Sequence, residues 1–144
     1  MKNPYSQYKT MQVTTTDPVK LVVLLYEGSI SALKRAKEHI ALKNMEAKGK
    51  EIMRAHDILF ELLSALDHEK GGEIADNLQK LYVYMIRRLL LANGTLDTTI
   101  LDEVSGLLDN LLSAWRVLAE QRAAQISANA PDQATIGKTA EDRL

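Results

Sequence analysis

The sequence predicts an all-α fold: an antiparallel up-and-down four-helix bundle with an extended N-terminal arm and a disordered C-terminal tail. Three observations carry that prediction. Apolar residues recur at helical spacing in four separate stretches, good capping residues or glycines stand between those stretches, and no segment alternates as a strand would.

Residues 1–16 hold Pro4 and the run Val13-Thr14-Thr15-Thr16 without a helical apolar period, so they read as an arm. Thr16-Asp17-Pro18 is a helix start, because a side-chain oxygen can cap free N–H groups and proline lacks the N–H that the first turn leaves unused. The first helix is expected from about Asp17 to Leu42, with the stripe Val22, Leu25, Ser29, Leu33, Ala36 and Ile40. Asn44 caps a second helix to about His68, and Gly71-Gly72 reads as the tight turn after it, since glycine adopts positive φ cheaply. A third helix follows from Glu73 to Asn93, with Asn93-Gly94 as its stop. Asp97, Thr98 and Thr99 offer caps for a fourth helix to about Ala124, whose seam is Leu101, Val104, Leu108, Leu111, Trp115 and Leu118. Residues 125–144 carry only isolated Ile126 and Ile136 and form the expected tail, leaving residues 17–124 as the bundle.

Composition narrows the function. With 144 residues, 46% hydrophobic and 26% charged, the chain is long enough for one self-sufficient core. It has no Cys, which removes disulfides, thiol nucleophiles and Cys-based zinc sites, and points to a cytoplasmic location. Eighteen Lys and Arg against 19 Asp and Glu leave a net charge of −1, so the long-range field that nucleic-acid binding uses is missing. The N-terminus has no apolar signal core, and the longest uncharged apolar runs fall well short of the ~20 residues of a membrane span, so neither export by signal peptide nor membrane insertion is expected.

The most informative feature is the width of the apolar faces. On the second helix the core stripe Ile52, Ala55, Leu59, Leu62 and Leu66 is flanked by Ile58 on one side and by Met53, Phe60 and Leu63 on the other. This arc spans about 220°, about twice what a helix needs to face a core. The third helix shows Ile74, Leu78, Leu81, Tyr82, Met85, Leu89 and Ala92 toward the core, with Val83, Ile86 and Leu90 as a second stripe. Either the two margins pack on each other or under the arm, or they form a groove for an amphipathic partner helix.

Catalytic and metal-binding patterns are missing. The three His residues, His39, His56 and His68, follow Ala36, Met53 and Ala65 by three positions, so the Glu-x-x-His template of di-iron bundles fails at each. No phosphate loop, dinucleotide fingerprint, nucleophile elbow or His-Glu-x-x-His occurs, so no enzyme activity, cofactor or metal is expected. Arg87-Arg88 and Lys34-Arg35-Lys37 read as solvated surface, and Trp115 as a core anchor.

Several segments together resemble one family. Tyr5-x-x-Tyr8, Asp17-Pro18, Leu25-Tyr26-x-Gly28, His68-Glu69-x-Gly71-Gly72-Glu73-Ile74-Ala75-x-Asn77-Leu78 and Leu81-Tyr82-x-Tyr84-Met85 stand in order. Ala92-Asn93, Asp97, Leu101-x-Glu103-Val104 and Trp115 continue it. This set resembles the flagellar export chaperones of the FliS family from about Tyr5 to Trp115.

The resemblance implies a bundle that binds newly made flagellin in the bacterial cytoplasm, without ATP or metal. Its client would be the flagellin C-terminal segment, disordered alone and helical when bound; the chaperone would block premature polymerisation and present the subunit to a component of the flagellar type III export gate. Met53, Phe60, Leu63, Val83, Ile86 and Leu90 would then be the flagellin-binding groove, and Asn77 a candidate polar contact. Tyr5 and Tyr8 would gate the groove or touch the export gate. The free chaperone is expected to be a monomer or weak dimer. A helical adaptor using the same groove for another secreted or regulatory protein is the alternative.

Overall fold

One Asp or Asn side chain starts each helix. In a computed structural model that describes residues 17–129, α1 spans Pro18–Ala41, α2 Met45–Ser64, α3 His68–Thr95 and α4 Thr98–Ala128. Asp17 accepts from the Val19 N–H, Asn44 from Ala47, Asp67 from Lys70 and Asp97 from Thr99, each meeting a donor that a helix start leaves open. The linkers are too short for crossovers, so consecutive helices run antiparallel; α1 and α3 each pack against both α2 and α4. The expected arm and all but the first residues of the expected tail lie outside the described residues.

The core is continuous through all four helices, with Leu33, Ile52, Leu59, Met85, Leu101 and Leu108 wholly buried. Ile58, expected as a flank of α2, is buried as well. Charged pairs mark the seams: Arg35 makes two hydrogen bonds to Glu51 between α1 and α2, and Lys37 and Arg116 reach Asp102 and Glu27 between α1 and α4. Between α3 and α4, Tyr84 and Arg88 both donate to Glu103, and the Tyr84 bond first, then Arg88, holds that carboxyl below its usual range.

Three boundaries differ from the sequence expectation. The reversal between α2 and α3 is made at Ala65 and Leu66, with Asp67 as cap, and Gly71-Gly72 lies inside α3. Gly72 has φ 51° and ψ −124°, a conformation that side-chain-bearing residues avoid, and it kinks α3 after one turn instead of closing a loop. Ile74, next to that kink, is consequently 72% exposed rather than in the core. At the other end, helical geometry runs through Asn93-Gly94 to Thr95, and the left-handed cap is Leu96 at φ 60°. Finally, α4 continues four residues beyond Ala124 to Ala128, and before that extension Arg122 reaches 3.4 Å to Asp17 at the start of α1.

Lys43, exposed between α1 and α2, also holds a left-handed φ of 58°. Lys43→Gly removes that strain and is expected to raise stability by about 0.5–1 kcal/mol in urea unfolding. A lower midpoint would mean that the lysine side chain holds the loop.

Lys48 is the one buried charged residue among those described, at 7% exposure. Its Nζ donates to both the backbone carbonyl and the Oδ1 of Asn93, at 2.9 and 2.8 Å. Asn93 sits in the last turn of α3, where carbonyls lack intrahelical donors and the helix dipole is negative, so Lys48 caps α3 from α2. Lys48→Met keeps the stem but leaves those acceptors unpaired, and should lower unfolding free energy by about 1–3 kcal/mol. An unchanged urea midpoint would show that water replaces the ammonium.

Candidate protein-binding site

The contact of Lys48 and Gly49 with Asn93 fixes how α2 and α3 lie side by side. Side chains seven positions apart share a helix face, so Gly49, His56 and Leu63 line the edge of α2 nearest α3, and Asn93, Ile86 and Gln79 line the opposing edge of α3. One row farther out stand Met53 and Phe60 on α2 and Leu90 and Val83 on α3. With antiparallel axes, Met53 comes opposite Leu90 and Phe60 opposite Val83.

Of the six apolar side chains expected from the sequence, Met53, Phe60 and Leu90 are exposed, and Leu63, Val83 and Ile86 are half-buried. Phe60 is 56% exposed, Leu90 48% and Met53 37%, whereas Ile86 and Leu63 lean on the core beneath. The α2 and α3 margins therefore remain at least partly open to solvent, with Leu63 and Ile86 nearer the core than Met53, Phe60 and Leu90. A depression of about 550 Å³ lies along the outer face of α3, lined by Asp76, Gln79, Lys80, Val83, Tyr84 and Arg87. Asn77 is exposed on the opposite side of α3, toward α4, and is not brought to this groove.

A second apolar hollow, about 330 Å³, opens at the kinked end of α3, where Ile74, Leu78 and Tyr82 face Val22, Leu66 and Trp115. Trp115 packs against the core there, as expected, while staying half-buried, and Leu118, one turn on, is exposed. Behind it lies a buried polar pair that sequence periodicity did not single out: the Tyr26 and Tyr82 hydroxyls are 2.6 Å apart, with the Trp115 ring 6.3 Å from that of Tyr26.

Burial pushes both phenols above the usual tyrosine range. Above pH ~10 an unfolded tyrosine loses its proton while these two keep theirs, so the native state binds more protons and stability falls as pH rises. The urea midpoint should therefore fall as pH rises past about 10, and less steeply in Tyr26→Phe/Tyr82→Phe. Equal slopes would contradict this.

Among the described residues no helix is long and apolar enough to cross a membrane, and no group of three or more His, Asp or Glu side chains converges.

The family model for the flagellar protein FliS matches residues 1–122. The chain belongs to the FliS family. It is 43% identical over 116 residues to the flagellar secretion chaperone FliS of Salmonella typhimurium, covering 80% of this chain and 86% of that one. Against the flagellar secretion chaperone FliSB of Pseudomonas aeruginosa it is 43% identical over 104 residues, 72% of this chain and 82% of the other. The Bacillus subtilis FliS is 33% identical over 116 residues, covering 81% and 86%. A bacterial flagellar chaperone crystal structure shares the fold with a TM-score of 0.69 at 19% identity, over 81% of this chain and 95% of that one. FliS proteins are chaperones of flagellar secretion, not enzymes.

Proposed function

We propose that this FliS-family chain is a flagellin chaperone of the bacterial cytoplasm: it holds the flagellin C-terminal segment, prevents premature polymerisation and delivers the subunit to the flagellar export gate. What supports the reading is the set of apolar side chains left exposed or half-exposed at two-turn spacing on α2 and α3, Met53 and Phe60 with Val83 and Leu90, which we read as the banks of a groove for a partner helix. A client helix laid along it presents its own apolar i, i+3, i+4 and i+7 positions to both banks, while Leu63 and Ile86 supply the floor. Because the client orders as it binds, affinity comes from many modest apolar contacts over a long surface rather than from one anchor.

Tyr5 and Tyr8 belong to the same proposal as regulators of groove access or as contacts to the export gate, and both lie outside the described residues. Co-expression with the cognate flagellin tests the whole reading. The expected result is a one-to-one complex on size exclusion that does not seed or join filaments, whereas a chaperone eluting alone, with flagellin free to polymerise, would contradict it. Removal of residues 1–16 should change flagellin affinity or binding to the gate component; if neither moves, the arm has no such role.

A further inference from the structure

The α2–α3 groove is apolar on its banks, but its floor is not uniformly so. His56 stands between Gly49 and Leu63 in the α2 row that borders α3, opposite Ile86, with Met53 and Phe60 on the bank beside it. Its side chain is 21% exposed, and Nδ1 lies 3.1 Å from Asp57 Oδ1. An ionised carboxylate only accepts, so the Asp57 bond places the proton of the neutral ring on Nδ1 and leaves Nε2 with a free lone pair. Nε2 has no hydrogen-bond partner among the described residues.

We infer that His56 is a specificity-determining residue of this groove, accepting a hydrogen bond at Nε2 from a Ser, Thr, Asn or Gln side chain of the client helix. The inference rests on the flagellin reading above and deepens it. When a client helix covers the floor it strips water from Nε2, and an acceptor buried without a donor weakens the complex. An apolar client residue over His56 is therefore penalised, and one carrying an O–H or N–H donor is selected. The banks accept any suitable amphipathic helix; the floor imidazole fixes which register of that helix is accepted. Met53 and Phe60 lack such directionality, because apolar contacts tolerate sliding.

The test uses the full chain, the cognate flagellin C-terminal segment, and client variants in which each Ser, Thr, Asn and Gln is replaced singly by Ala. His56→Leu should weaken binding about tenfold, and His56→Gln, whose amide oxygen falls near the place of Nε2, should recover most of it. A single client position should lose about tenfold with His56 and almost nothing with His56→Leu. Circular dichroism and urea midpoints of both variants establish that the bundle is intact. If the unmodified chain binds the segment and His56→Leu binds it equally well, with every client substitution additive, the inference is overturned while the groove stands. If the unmodified chain does not bind, the flagellin reading fails and this inference with it.

Discussion

Phe60→Asp combined with Leu90→Asp is expected to lower affinity for the flagellin C-terminal segment at least 100-fold without unfolding the bundle. Both side chains are about half exposed, on opposite banks of the groove, and neither belongs to the core cluster or packs against it. Each substitution removes an apolar contact worth about 1.5–3 kcal/mol when fully covered and adds a carboxylate that the client would have to desolvate. Halved because each side chain is about half exposed, the two apolar losses come to about 1.5–3 kcal/mol, and desolvation of the two carboxylates carries the total past the ~2.7 kcal/mol that corresponds to 100-fold. Ile86 is the weaker choice for such a test, because it leans on the core and an aspartate there would disturb folding as well. Equal affinity for the double variant, measured at matched helicity, would move the client to another face.

The second large effect separates stability from binding at adjacent residues. Leu59 is wholly buried and Phe60 is 56% exposed, since one step along α2 turns the side chain by about 100°. Leu59→Ala should cost about 2–5 kcal/mol of unfolding free energy through lost transfer energy and the cavity left behind. Phe60→Ala should stay within about 0.5 kcal/mol of the parent in stability, yet weaken client binding about tenfold. Urea unfolding and client titration on the same two proteins check the pair. A large stability loss in Phe60→Ala would make that ring part of the core and remove it from the binding surface.

Much of this was legible because it depends on local chemistry. Asp17-Pro18, Asn44 and Asp97 start helices in the structure as their side chains dictate, and the α2 and α3 apolar arcs were wider than a core needs. The misjudged points depend on choices between competing local signals. Gly71-Gly72 was read as a turn, but Asp67 offers a cap four residues earlier, and the chain uses both: it turns before Asp67 and kinks at Gly72. Asn93-Gly94 looked like a stop, yet helix continues through it and Leu96 takes the left-handed cap despite its side chain.

Tertiary pairings were the least legible. Periodicity puts Tyr26 and Tyr82 on or near core faces but cannot show that their hydroxyls meet, and it does not pair Lys48 with Asn93, 45 positions on. The same holds for the groove floor. His56 does not fit the Glu-x-x-His template of di-iron bundles, and only the register of α2 against α3 gives it a neighbourhood.

Calorimetric titration of the chain with its cognate flagellin C-terminal segment, beside Phe60→Asp/Leu90→Asp, tests the central claim most directly. The expected result is saturable one-to-one binding with a negative heat-capacity change, lost in the double variant while its helical signal and urea midpoint are retained. A folded parent chain that gives no binding heat at any temperature, or a double variant that binds as the parent does, would contradict it.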